Sequence, residues 1–147
     1  MQRKKAFLVI LSLVLLVAMF SVAVARQPKS IGEITPVLPV DSLHICWPEE
    51  DGAPVLLLTG QQLRELMEIL DTYQYRKLGT GSNLSPHTAE FRYSTQGKTI
   101  EIIFSQGARN SLMVNPVESG GRKPYYEITP QPDSLIQLLE ELQREIK

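Results

Sequence analysis

The feature that most restricts this chain is an uncharged run from Ala6 to Ala25, interrupted only by Ser12 and Ser21 and preceded by Arg3, Lys4 and Lys5. Basic residues hold the start of such a segment on the cytoplasmic side while the apolar stretch enters the bilayer. Ala23-Val24-Ala25 offers the small side chains that a signal peptidase accepts, which places a cut between Ala25 and Arg26. A run of 20 residues is also long enough to cross a hydrocarbon core of about 30 Å. Residues 1–25 therefore read as a signal peptide or an N-terminal membrane anchor. Either reading places the rest of the chain outside the cytosol, secreted or membrane-tethered. Cys46 is the only cysteine and lies well beyond the run, which argues against a lipoprotein and excludes an internal disulfide or a multi-cysteine zinc site.

Charge narrows the partners. The 147 residues carry a formal net charge of −1, and removing residues 1–25 leaves 12 basic and 16 acidic residues, a net of −4. A mildly acidic domain has no general attraction to nucleic acid or anionic lipid. The expected partner is an envelope protein or glycan, with membrane contact only through residues 6–25 if they are retained. A lone thiol outside the reducing cytosol is expected to be buried as a small apolar residue.

Residues 26–40 contain Pro28, Pro36 and Pro39 without a sustained period, and read as an extended linker. Residues 41–147 then form a single domain. Alternation predicts a strand over 42–47, with Leu43, Ile45 and Trp47 on one face and Ser42, His44 and Cys46 on the other. The apolar run Val55 to Leu58 suggests a strand covered on both sides. Thr59 and Gln62 suggest a capping box, and Leu63, Leu66, Met67 and Leu70 make one helical stripe ending near Asp71 or Thr72. Strands are expected over 73–78, 88–93, 98–104, 111–115 and 125–128, with 79–87 as a loop. Ala89, Phe91 and Tyr93 should meet Ile100, Ile102 and Phe104 across one pair. Leu135, Leu138, Leu139, Leu142 and Ile146 line a last helix capped by Asp133 or Ser134. The fold class is α+β: an antiparallel meander sheet with two amphipathic helices packed on one face.

Chemistry is sparse. His44 and Cys46 leave the same strand face, but i and i+2 positions lie about 7 Å apart, too far for direct imidazole–thiol pairing. There is no Gly-x-Ser-x-Gly elbow, no His-Glu-x-x-His and no phosphate loop. Gly79-Thr80-Gly81-Ser82-Asn83 reads as an ordinary loop, and Glu49-Glu50-Asp51 as a solvated turn without calcium-loop spacing. No catalytic residue, metal ligand or cofactor is assigned. The candidate binding residues are Tyr73, Tyr75, Lys77, Tyr125 and Tyr126, because tyrosine pairs a rigid apolar body with a polar tip suited to protein or sugar recognition.

The leader, Thr59-Gly60-Gln61-Gln62-Leu63, the Tyr-rich strand after the helix, and Lys123-Pro124-Tyr125-Tyr126-Glu127-Ile128 together resemble a family of small exported domains of unknown function from Gram-positive bacteria. The resemblance covers most of residues 41–128 and implies export and a small mixed fold, with no catalytic residues. The resulting expectation is a non-enzymatic binding or accessory module of the cell envelope. A small envelope hydrolase using His44 or His87, and a membrane-tethered subunit held by residues 6–25, are the alternatives.

Overall fold

The computed structural model describes residues 2–35, 40–48, 55–81, 88–107, 109–116 and 122–146. The elements in order are α1 Gln2–Ala25, α2 Ile31–Ile34, β1 Ser42–Cys46, β2 Leu56–Thr59, α3 Gly60–Asp71, β3 Gln74–Gly81, β4 Ala89–Thr95, β5 Lys98–Ser105, β6 Ser111–Pro116, β7 Lys123–Thr129 and α4 Asp133–Glu145. The class is α+β, with one antiparallel sheet of seven strands. Within α1, the 19 residues Phe7–Ala25 have a mean hydropathy of 3.0 and bury nothing against the rest of the chain. By length and composition that helix can cross a membrane.

The strand order is β2-β1-β4-β5-β6-β7-β3. The run β4 to β7 is the expected meander, but β3 breaks it: it pairs with β7 at the far edge, and β4 pairs with β1 instead. The chain thus passes from one edge strand, β2, through α3 to the other edge strand, β3. Short-range alternation carries no information about such a crossing, so the sequence pattern suggested neighbours that the fold separates.

Local register follows the pattern closely. Ala89, Phe91 and Tyr93 stand opposite Phe104, Ile102 and Ile100. The β4–β5 connection is a two-residue turn at Gln96 and Gly97, both with positive φ, which matches the right-handed strand twist. All of these paired strand residues but the half-buried Ile100, which packs against it, join Leu43, Ile45, Leu112, Val114, Tyr126 and Ile128 in one buried cluster, to which α3 gives Leu63, Leu66 and Leu70 and α4 gives Leu135, Leu138, Leu139 and Leu142. Each such leucine gains about 1.5–3 kcal/mol on full burial.

Three local expectations change. Thr59 is the N-cap of α3 but makes no side-chain cap bond, and Gln62 instead donates to Glu145 Oε2 at 3.4 Å. β3 continues through Gly79 to Gly81, where a loop was expected, because β7 extends back to Lys123 and pairs with it. The expected linker is in part core. Lys29 exchanges backbone hydrogen bonds with Tyr75, and Ser30 and Glu33 form a capping box that starts α2. Ile31 and Ile34 then enter the main cluster. The proline spacing of 26–40 masked an isoleucine pair on one helical turn.

Replacing Ile31 with Ala should lower the urea midpoint, with a loss of about 2–5 kcal/mol; a passive tether would leave it unchanged. Tyr93 gives a pH signature. Burial raises its phenol to about 12, and a hydrogen bond with Thr35 pulls the other way. An unfolded tyrosine ionises near pH 10, so this contribution to stability is complete below about pH 10 and is lost as the pH climbs toward 12. Phenolate absorbance during alkaline titration should therefore show a late-ionising tyrosine that drops back to the ordinary range on unfolding.

Candidate functional site

The five residues expected to form a binding surface do not form one. Tyr75 is 0% exposed, and its hydroxyl donates at 2.7 Å to Leu70 O, a carbonyl in the last turn of α3 that also accepts a long bond from the Tyr73 N–H at 3.5 Å. Tyr73 is also buried, and its hydroxyl accepts the Leu135 N–H at 3.3 Å, one of the orphan donors at the start of α4. Tyr126 lies in the same core. Lys77 stands opposite Tyr126 and is exposed. Tyr125 points to the other side of the sheet, with its ring 3.3 Å from where a Cβ on Gly79 would sit. The polar tips of Tyr75 and Tyr73 are used at helix ends, the last turn of α3 and the first turn of α4. Ala25 ends α1, and Arg26 and Gln27 turn back on Ala23 O and Val24 O, all of them exposed.

The side of the sheet opposite the core cluster carries the remaining chemistry. In register across it run His44, Arg92, Glu101 and Asn115; the next row is Cys46, Glu90, Ile103, Met113, Tyr125 and Gly79. Arg92 Nε donates to Glu101 Oε1 at 2.8 Å and Nη2 to Glu90 Oε2 at 3.1 Å. Asn115 Nδ2 donates to the second oxygen of Glu101 at 2.9 Å. The Arg92 side chain is 50% exposed, whereas those of Glu90 and Glu101 are 14% and 13% exposed. The hydrogen bond to Glu101 raises the basicity of Arg92 most, with burial opposing it and the carboxylate charges adding to it. Two shielded carboxylates thus hold one cation, and the guanidinium is neutralised in place. Asn115 Oδ1 and Ser105 Oγ are buried on this side without a hydrogen-bond partner.

A cleft of about 390 Å³ opens beside this network, lined in part by Ser42, His44, Cys46, Val55, Arg92 and Ser94. His44 and Cys46 share its wall, as the alternation of β1 required. Burial pushes the Cys46 thiol up, Arg92 pulls it down, and Glu90 and Glu101 push it up further. The group is therefore a thiol near neutral pH, the unreactive form. His87 and Glu49-Glu50-Asp51 lie outside the described residues. Among the described residues, no three His, Cys, Asp or Glu side chains are placed to hold a metal.

The cleft borders the edge strand β2, where another expectation is overturned. Val55 and Leu57 were expected to be covered on both sides, yet they are 56% and 50% exposed. Outside α1 they are the exposed large apolar side chains among the described residues. An apolar tetrad reads like a central strand, but here one side chain in two faces solvent at the sheet's end.

Sequence reasoning did not pick out the Arg92–Glu101–Asn115 network. The signal was present: Glu90, Arg92, Thr99 and Glu101 are the polar alternates of strands whose apolar alternates were already in register.

Tyr75→Phe should cost about 1 kcal/mol by removing the shorter of the two hydrogen bonds to the Leu70 carbonyl, measured by urea denaturation. Arg92→Ala should cost about 1–3 kcal/mol by removing the guanidinium that bonds both Glu90 and Glu101. Adding Glu101→Gln should recover part of that loss, and a double-mutant cycle reads the coupling. No protein-family model matches this chain, and no curated protein or solved structure was found to be similar to it.

Proposed function

We propose that the apolar leader carries this chain out of the cytosol and that the domain works in the cell envelope as a non-enzymatic binding or accessory module. The contact surface in this reading is β2 with its adjoining cleft, and the partner is an extended segment of an envelope protein. The observation that carries it is the exposure of Leu57 on an edge strand and of Val55 immediately before it. An unpaired edge offers backbone donors and acceptors to an added strand, and alternate apolar side chains supply the grip. The cleft beside β2 gives room for the partner's side chains. Delivery outside the cytosol rests on the length and hydropathy of Phe7–Ala25.

Immobilised full-length protein in detergent should retain an envelope protein. Leu57→Asp should weaken retention about tenfold or more, because the new carboxylate must be desolvated or the contact given up. Lys98→Ala, on β5 and outside the cleft lining, should leave it intact. Retention unaffected by Leu57→Asp rules out β2 as the surface, and retention of glycan alone replaces the partner class. A second reading, a small hydrolase, draws on His44 in the cleft wall. It requires an envelope-substrate activity that disappears in a folded His44→Ala, His87→Ala variant. The intact mass of the exported protein separates cleavage after Ala25 from retention of the leader as an anchor.

A further inference from the structure

The net negative charge of the domain conceals a strong segregation. Arg26, Lys29, Arg76, Lys77, Arg122 and Lys123 account for six of the 12 cations that follow residue 25. The fold gathers them at one edge. Lys29 is bridged to Tyr75, Arg76 and Lys77 follow on β3, and Lys123 stands opposite Gly81 at its end, with Arg122 next to it. From Tyr75 to Gly81 the strand runs about 20 Å. Arg26, Lys29, Arg76, Lys77 and Arg122 are exposed and Lys123 is partly so. Of the described acids, Glu33, Asp71 and Glu127 lie on or beside these segments. Glu33 is bonded to Ser30 and Glu127 is paired with Arg76.

The same edge is tied to the leader. α1 ends at Ala25, and the chain is bonded into β3 at Lys29. Four residue steps, even fully extended, reach about 14 Å. The 19 apolar residues of α1 rise about 28 Å, close to the thickness of a hydrocarbon core. With that helix in a bilayer, the β3 edge lies at the level of the lipid headgroups and cannot move away.

We propose that the β3 edge is a membrane-docking surface for anionic lipid headgroups, and that it holds the sheet on end with β2 turned away from the bilayer. Six strand spacings separate β3 from β2, about 29 Å at roughly 4.8 Å each. The cleft is thereby presented to the envelope at a set height. This goes beyond the binding reading and does not depend on what β2 contacts. Each basic residue near an anionic surface adds roughly fivefold to the docked population at moderate salt, and the effect fades beyond a Debye length.

The test uses the full-length chain reconstituted in vesicles of phosphatidylcholine alone, or with phosphatidylglycerol. Amine-reactive labelling of Lys29, Lys77 and Lys123 should slow several-fold in the anionic vesicles. Lys98, three strands in from the edge, should change little. About 1 M salt, where the Debye length is about 3 Å, should abolish the difference. The Lys77→Glu, Lys123→Glu variant should lose protection at Lys29 while keeping its melting temperature within a few degrees. Equal labelling in the two vesicle types overturns the proposal, as does unchanged Lys29 protection in the folded variant. Protection by soluble polyphosphate but not by anionic vesicles also overturns it and assigns the edge to a polymeric anion.

Discussion

One side chain ties together the parts of this molecule that are far apart in sequence. Tyr75 exchanges backbone hydrogen bonds with Lys29, at 2.8 and 3.0 Å, stands opposite Ile128 of β7, and closes the end of α3 through its hydroxyl. The segment after the leader, the crossing helix and the last strand all converge on a residue with no exposed surface. Tyrosine suits such a junction because its ring fills core volume while its hydroxyl satisfies a polar group that burial would otherwise strand. Tyr73 does the same for α4 from two residues away. Tyr75 on β3 and Tyr73 just before it thus satisfy one end of each helix.

The two sides of the sheet are built on different physics. One side is an apolar cluster sealed by leucines from α3 and α4. The other mixes a charged network with Ile103 and Met113, which are 5% and 2% exposed yet stand apart from that cluster. The Arg92–Glu90–Glu101–Asn115 links stitch β4, β5 and β6 across that side. Because the carboxylates are more shielded than the cation, this network acts first as a cross-strand brace. Tyr125 lies flat against Gly79 at the bulge after Lys77, so the narrowest residue of β3 receives the widest neighbour on β7.

Much of this was legible in the chain because alternation and helical spacing are local. The pairing of Ala89, Phe91 and Tyr93 with Phe104, Ile102 and Ile100, the stripe of Leu63, Leu66 and Leu70, and the shared side of His44 and Cys46 follow from periods of two and 3.6. What was not legible was set by topology. No local pattern says that β3 crosses to β7, and that crossing buries Tyr73 and Tyr75 and makes β2 an edge. A tyrosine's amphipathic character fits a binding surface and a helix terminus equally well, so composition alone favoured the wrong use. Ile31 and Ile34 were obscured by the prolines around them, since a four-residue helix is too short to display a period.

The two borders of the sheet are treated unequally. At β3 the hydrogen-bonding rim is occupied by the chain's own Lys29 and flanked by Arg76 and Lys77, a combination that repels a further strand. At β2 the border carries the exposed Leu57, with the exposed Val55 just before it, and among the described strands it pairs on one side only, with β1. An assembly growing by added strands needs two receptive ends to propagate, and β3 is not one of them. The proposed strand addition at β2 would therefore meet a guarded border on the far side of the sheet, and pairing of this kind would not propagate into a fibre.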